Sequence, residues 1–521
     1  MALLRSIATV GGWTMGSRAL GLVRDMLIAR VLGTGVEAEA FFVAFRLPNM
    51  FRRLFAEGAF NAAFVPLFAR RLEEEGQESA RRFAEQVMAV MLVGLLALTI
   101  LAQITMPWLL ALLAGGFIGD EDQPGKYDLA VQFSIITFPY LLFMSLTALQ
   151  GGILNSLHRF AHAAAAPILL NVVAIIALAV VAPVTGLPGH TLVWAVAVAG
   201  VCQFLWLVIA CHRAGIALSL PRPRLDPSVR RLFRLMGPGL VGAGVMQING
   251  LIGTQIASWQ DGAISWLSYA DRLYQLPLSL IGVAIGVVLL PELTRHLRGD
   301  RHADAMVTHN RCLELAVLLS LPAAVALAVI PGPIITVLYE GGRFGPDDTR
   351  AVSLAIAAFA VGLPAYVLIK TLATGFYARE DTATPFNVAI ADVAANIVIS
   401  LTLFWWLGYL GIAIATSIAA WINAGLLFWL LRRRGTLVLD DRLRRRLPRI
   451  VLSSLIMGVV VWLVAELLEP VFARAIIEQI VALAALVLAG LATYGVACLA
   501  TGAGSIAELR ATIRRQRRSP A

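Results

Sequence analysis

Arg18, Arg24, Arg46, Arg52, Arg53 and, further on, Arg272 stand inside long apolar runs, with Asp25, Glu39, Glu57 and Asp271 as the carboxylates near them. An arginine at the centre of a membrane-spanning helix costs about 2.5–3.5 kcal/mol on insertion scales. Several arginines cannot all face lipid at that cost, so they face protein, water or an anionic ligand. The first group lies in SRALGLVRDMLIARVLGTGVEAEAFFVAFRLPNMFRRLFAEG, residues 17–58. Positions seven apart share a helical face, which aligns Ser17 with Arg24 and Arg18 with Asp25. Two chemistries are open here. Arg18 or Arg24 with Asp25, and Arg53 with Glu57, form buried ion pairs that tie helices together. Cations outnumber carboxylates, however, and the surplus describes an anion site.

The second place is YADRLYQLP, residues 269–277, where Asp271 and Arg272 sit near the external end of a helix above Pro277. This adjacent pair reads either as part of the same anion site or as a snorkelling pair at the membrane rim. The preceding helix carries GPGLVGAGVMQING in place of arginines, so the second half of the chain is nearly neutral where the first is cationic. That asymmetry suits one anionic head group bound between two halves, with carboxylates ready to take the arginines when it leaves. Candidate ion-coupling groups are Asn249, Thr254, Lys370, Asp392 and Asn396. Asp392, the one carboxylate well inside its helix pair, reads equally as a structural group or as a sodium or proton site.

No enzyme constellation accompanies these groups. All seven histidines fall in or beside loops, and GxSxG, Walker and HExxH patterns are absent. No catalytic residue, cofactor or resident metal is expected. The four cysteines lie in or at the ends of apolar runs without CxxC spacing, as small core residues do.

The elements that position the arginines are membrane helices. The chain has 521 residues, of which 59% are hydrophobic and 14% charged, with a mean hydropathy of +0.80. Apolar runs predict an all-α polytopic membrane protein with about fourteen spans, near 7–32, 38–68, 84–113, 128–155, 161–184, 189–211, 231–259, 263–293, 312–338, 349–377, 384–407, 409–431, 449–468 and 475–502. Thirty of the 42 basic residues fall in the loops after even-numbered spans or in the termini, against four in the loops after odd-numbered spans. The positive-inside rule therefore predicts that both termini are cytoplasmic, and it explains the net charge of +10 without nucleic acid.

A repeat of 225 residues relates Pro66 to Pro291, Pro139 to Pro364 and Asn171 to Asn396. Six spans fit in that interval, so the second copy keeps the orientation of the first. The predicted architecture is two six-helix lobes, 1–220 and 221–440, related by a pseudo-twofold axis along the membrane normal. Residues 441–521 add two further helices and a basic tail.

GSRALGLVRDMLIARVLG, EAEAFFVAFRLPNMFRRLFAEGAFNAAFVPLFAR and YADRLYQLPLSLIGVAIGVVLLPEL resemble the MurJ/MviN family of lipid II flippases, within the multidrug/oligosaccharidyl-lipid/polysaccharide exporter superfamily. The resemblance spans essentially the whole chain. It implies translocation of undecaprenyl-diphosphate-linked peptidoglycan precursor to the outer leaflet of the inner membrane by alternating access, and a groove for the lipid tail beside the last two helices. Carried over by position, the family's cavity arginines match Arg18, Arg24, Arg52 and Arg272, with Asp25 as the acidic partner and Glu39 at the acidic position opening the second span. Where some members resemble sodium-coupled transporters, this chain has Asn249, Gly253, Asn396 and Ser400, which leaves coupling open between membrane potential, sodium and protons. The implied partners are lipid II and membrane lipids, with the protein acting as a monomer. An exporter of another polyprenyl-linked glycan, such as an O-antigen precursor, would keep the cationic cavity. A multidrug cation antiporter would want an acidic or aromatic one.

Overall fold

The computed structural model describes residues 2–53 and 60–504. Glu57, the second partner of the expected Arg53 pair, lies outside the described residues, as does the basic tail beyond residue 504. Long apolar stretches become helices because a chain in lipid must satisfy its backbone groups internally. Among the described residues the fold is helical throughout, with a single isolated bridge between Gly341 and Phe344. Two compact units form: one from residues up to Ser265 with Gly341–Phe344, the other from Trp266–Glu340 with residues from Gly345 onward.

In the first unit the helices are α1 (Ala2–Leu32), α2 (Val36–Arg52), α3 (Phe60–Glu74), α4 (Gln77–Leu113), α5 (Lys126–Thr137), α6 (Tyr140–Ser156), α7 (Phe160–Ile176), α8 (Ala182–Thr185), α9 (Pro188–Arg213) and α10 (Pro227–Ala257). α1 packs on α7, α2 on α5, and α9 on both α6 and α7. The expected span 128–155 is interrupted at Pro139, which separates α5 from α6 while both serve one crossing, Lys126–Ser156. Phe60, Phe64 and Phe68 stack along α3, one turn apart, and Phe83 of α4 stacks on Phe64 at 5.8 Å. α10 starts on an Asp226 cap, whose side chain accepts from Val229 N at 2.8 Å, and packs against α3 and α4. The Gly341–Phe344 turn closes on the end of α1, where Arg343 N donates to Arg30 O at 2.8 Å. Gly342 has φ +61°, and a Cβ there would fall 2.1 Å from the Arg30 carbonyl oxygen, so only glycine fits.

The helices running on into the second unit are α11 (Ala263–Arg298), α12 (His302–Val329), α13 (Pro331–Leu338), α14 (Pro346–Tyr377), α15 (Ala383–Leu407), α16 (Tyr409–Arg433), α17 (Asp441–Phe472) and α18 (Ile476–Thr501). α14, α15 and α16 pack closely, α12 joins α14 and α17, and α17 pairs with α18. Pro364, the repeat partner of Pro139, sits inside an unbroken α14. Glu314 of α12 is buried and accepts from Arg311, Arg442 and Arg446 at 2.5–3.2 Å, which fastens the start of α17. Exposed large side chains such as Leu112, Trp405, Trp406 and Leu467 are those expected of lipid-facing helix surfaces.

Among the described residues, ten helices are long and apolar enough to cross a membrane. The expectation of fourteen is met for these ten. The other four expected spans fall on α1, on α2 with α3, on α10 and on α11, which are not among those ten.

Candidate functional site

Arg24 is the best-defined of the intramembrane arginines. Its Nε and Nη2 donate to Asp25 Oδ1 at 3.0 and 2.7 Å, and its Nη1 donates to Asn171 Oδ1 of α7 at 2.9 Å. Asn171 Nδ2 in turn donates to the Ser17 carbonyl at 2.8 Å. The Arg24 and Asp25 side chains keep 12% and 13% of their surface, so both are withdrawn from bulk solvent without being sealed off. An anion arriving here meets a guanidinium already oriented by a neighbouring helix. Arg18 lies two turns before Asp25 on the same face of α1 and is exposed.

The other cations of the first group divide between structure and exposure. Arg46 Nη2 donates to the Gly250 carbonyl of α10 at 2.7 Å, an approach that a Cβ at residue 250 would block at 2.8 Å. Arg52 is half-buried, with Nε on Asn49 Oδ1 at 3.1 Å, and Arg53 is exposed.

Glu39 is placed differently from the arginines it was grouped with. It is fully buried, pairs with Lys126 Nζ at 2.6 Å, and accepts from Ile264 N in the first turn of α11 at 3.1 Å. Lys126, also fully buried, lies 2.7 Å from Asp261 and 3.8 Å from Asp120, with its ammonium 4.4 Å above the Phe117 ring. This network is an internal lock, and it takes Glu39 away from a ligand-facing role. The predicted spans 84–113 and 128–155 leave Lys126 in a loop. The signal was available: lysine occurs only twice among the 42 basic residues, at Lys126 and Lys370. Asp120, Asp122 and Asp261 bring oxygens within 4.8 Å of one another, but the Lys126 ammonium already serves two of these carboxylates, so the group does not call for a metal ion.

Within the second unit, Asp271 accepts from Gln275 one turn on, and Arg272 is half-buried beside it. Tyr274 packs on Tyr366, ring centroids 5.9 Å apart. Asp392 is half-buried on α15, beside Asn423 of α16. Asn396 is buried and accepts from Ser400 Oγ at 3.3 Å. Lys370 is exposed, with Nζ so close to Gly282 that a Cβ there would come within 2.7 Å. On α10, Asn249 is half-buried and Thr254 donates to the Gly250 carbonyl at 2.9 Å. Asn396 thus shares a hydrogen bond with Ser400, while Asp392 lies beside Asn423.

Ten helices long and apolar enough to cross a membrane among the described residues, with Arg24 hydrogen-bonded from α1 to Asn171 of α7, define a multi-pass membrane protein. The family described as "Lipid II flippase MurJ" matches residues 28–483. The chain is 45% identical to a probable lipid II flippase MurJ of Rhizobium tropici, covering 100% of this chain and 98% of that one. It is 37% identical to the lipid II flippase MurJ of Burkholderia cenocepacia, covering 84% and 85%. A solved lipid II flippase MurJ in an inward closed conformation superposes with a TM-score of 0.77 at 27% identity, covering 94% and 97%. A multidrug resistance MATE transporter shares the fold at a TM-score of 0.68 and 15% identity, covering 80% and 94%. The chain belongs to the MurJ family of lipid II flippases.

Proposed function

We propose that this protein translocates lipid II, the undecaprenyl-diphosphate-linked disaccharide-peptide, from the cytoplasmic to the periplasmic leaflet of the inner membrane by alternating access. The observation that carries the chemistry is Arg24, a guanidinium inside a membrane helix, held by Asp25 and Asn171 and open enough to meet an anion. Arg18, Arg24 and Arg52, and separately Arg272, are the groups assigned to the diphosphate, whose oxygens suit guanidinium geometry. Ser17 supports Asn171 through its carbonyl, Asp25 takes Arg24 when the ligand is absent, and Asp271 does the same for Arg272. The protein is a transporter with no chemical step of its own. It acts as a monomer among membrane lipids, with both termini cytoplasmic, and the 225-residue repeat gives lobes 1–220 and 221–440 that move against each other. Asn249, Asp392 and Asn396 are the groups through which membrane potential, sodium or protons would drive the cycle.

The test is lipid II translocation in vesicles. Arg24→Ala is expected to lower it at least tenfold, and Asn171→Ala about tenfold, with folded protein undiminished, because each removes charge-assisted hydrogen bonds of roughly 1.5–3 kcal/mol. Normal translocation by Arg24→Ala would overturn the assignment. Repeating the wild-type assay with each gradient collapsed in turn identifies the driving force.

A further inference from the structure

Within the first unit, between α3, α6, α7 and α9, lies a cavity of about 360 Å³. Arg52, Asn155, Phe160, Pro167, Gln203 and Leu207 are among the residues that line it, and most of its wall is apolar. Gln203 is fully buried on α9, in the apolar run VCQFLWLVIA. Among the described residues neither its Nε2 nor its Oε1 has a hydrogen-bond partner. A buried amide with both a donor and an acceptor unmade is costly, and that cost is recovered when a ligand supplies both. The side chain is long and flexible, so turning its amide into the cavity requires no movement of the helix.

The lining selects the chemistry of the ligand. A primary amide, with two N–H donors and one acceptor oxygen, matches the amide and hydroxyl substituents of a sugar ring, which between them give and take hydrogen bonds. The Phe160 ring, with Pro167 and Leu207, provides the apolar surface on which the C–H face of a pyranose ring packs. Arg52 adds a cation to the same wall, where a phosphate attached to that ring would sit.

We infer that this cavity is a carbohydrate subsite, with Gln203 reading the sugar ring adjacent to the diphosphate of the translocated lipid. The inference rests on the lipid II reading and on the assignment of Arg52 to the diphosphate. It adds a sugar-recognising position inside one unit, built from α6, α7 and α9 and distinct from the arginine array on α1.

The experiment measures binding of three lipids to the purified full-length protein: undecaprenyl diphosphate, lipid II, and lipid II lacking the stem peptide. Wild-type protein is expected to bind the two sugar-bearing lipids about tenfold more tightly than undecaprenyl diphosphate, as two hydrogen bonds of ordinary strength would give. Gln203→Leu is expected to erase that difference, to leave undecaprenyl diphosphate binding unchanged, and to keep or raise the thermal midpoint because an unsatisfied buried amide is gone. Ala164→Phe, which fills the cavity from α7 with Gln203 in place, is expected to erase the difference in the same way. Retention of the sugar preference by either folded variant overturns the subsite, as does a Gln203→Leu loss that requires the stem peptide or extends equally to undecaprenyl diphosphate. Wild-type protein that binds all three lipids alike also overturns it, whereas failure to bind any of them sinks the lipid II reading itself.

Discussion

Arg24 and Lys126 show how the same burden, a cation inside a membrane helix bundle, is resolved in two ways. Arg24 keeps part of its surface open and has one carboxylate and one amide for company. Lys126 is sealed, with Glu39 and Asp261 at 2.6–2.7 Å and an aromatic ring above it. A group of the first kind is available to an anion; one of the second kind is committed to the fold. Removing one partner of a buried pair strands the other charge, at a cost of about 3–5 kcal/mol. Lys126→Met is therefore expected to lower the thermal midpoint of the solubilised protein markedly. Adding Glu39→Gln should restore a large part of the loss, because the stranded carboxylate is then neutral. Additive losses in the two single variants and the double variant would show that the pair carries no coupling.

At the level of the elements, connections are pinned by polar contacts that hydropathy does not register. The turn between α14 and α15 is held by Asp381, whose Oδ1 accepts from Thr384 N at 2.9 Å, while Oδ2 accepts from Thr384 Oγ1 and from Arg434 Nη1, both at 2.6 Å. These hydrogen bonds, led by the Thr384 hydroxyl and then the Arg434 guanidinium, hold its carboxyl at about 2, below the usual aspartate range. A depressed carboxylate stabilises the folded state above its unfolded pKa and loses that contribution as pH falls through the folded one. Wild-type protein should thus lose a small stability increment between about pH 4 and pH 2 that Asp381→Asn lacks, read as a difference in denaturation midpoint across that window. The prolines make a related point. Pro139 and Pro364 share a repeat position, yet the first ends a helix and the second is absorbed in one. Proline removes one backbone donor wherever it stands, and the packing around it settles whether the helix breaks.

For the whole molecule, the distribution of arginine is the main large-scale signal. With 30 of 42 basic residues on one set of loops and the termini, the proposed orientation puts Arg222 in the cytoplasm and Asp122 outside. Both side chains are exposed. In a background where the four native cysteines are serine, Arg222→Cys is expected to react with an impermeant maleimide only in inside-out vesicles, and Asp122→Cys only in intact spheroplasts. The reverse pattern would invert the topology and with it the direction of transport.

Ten of the expected spans and the family itself were legible in the chain alone. Each depends on local composition: a run of about 20 apolar residues spans a membrane whatever its neighbours are, and a charge within such a run must find a partner. The partners themselves were not legible. Asn171 lies 147 residues beyond Arg24 and was visible only as a repeat marker, and the buried Lys126 read as a loop cation. Gln203 was one amide in an apolar run until α9 set it, without a hydrogen-bond partner, in the wall of a cavity. A hydrogen bond needs two groups within about 3 Å of each other, and only helix packing brings residues so far apart in sequence to that distance. Residue types and their places along the helices therefore follow from the sequence, while which cations are locked and which stay partly open is decided by the tertiary structure.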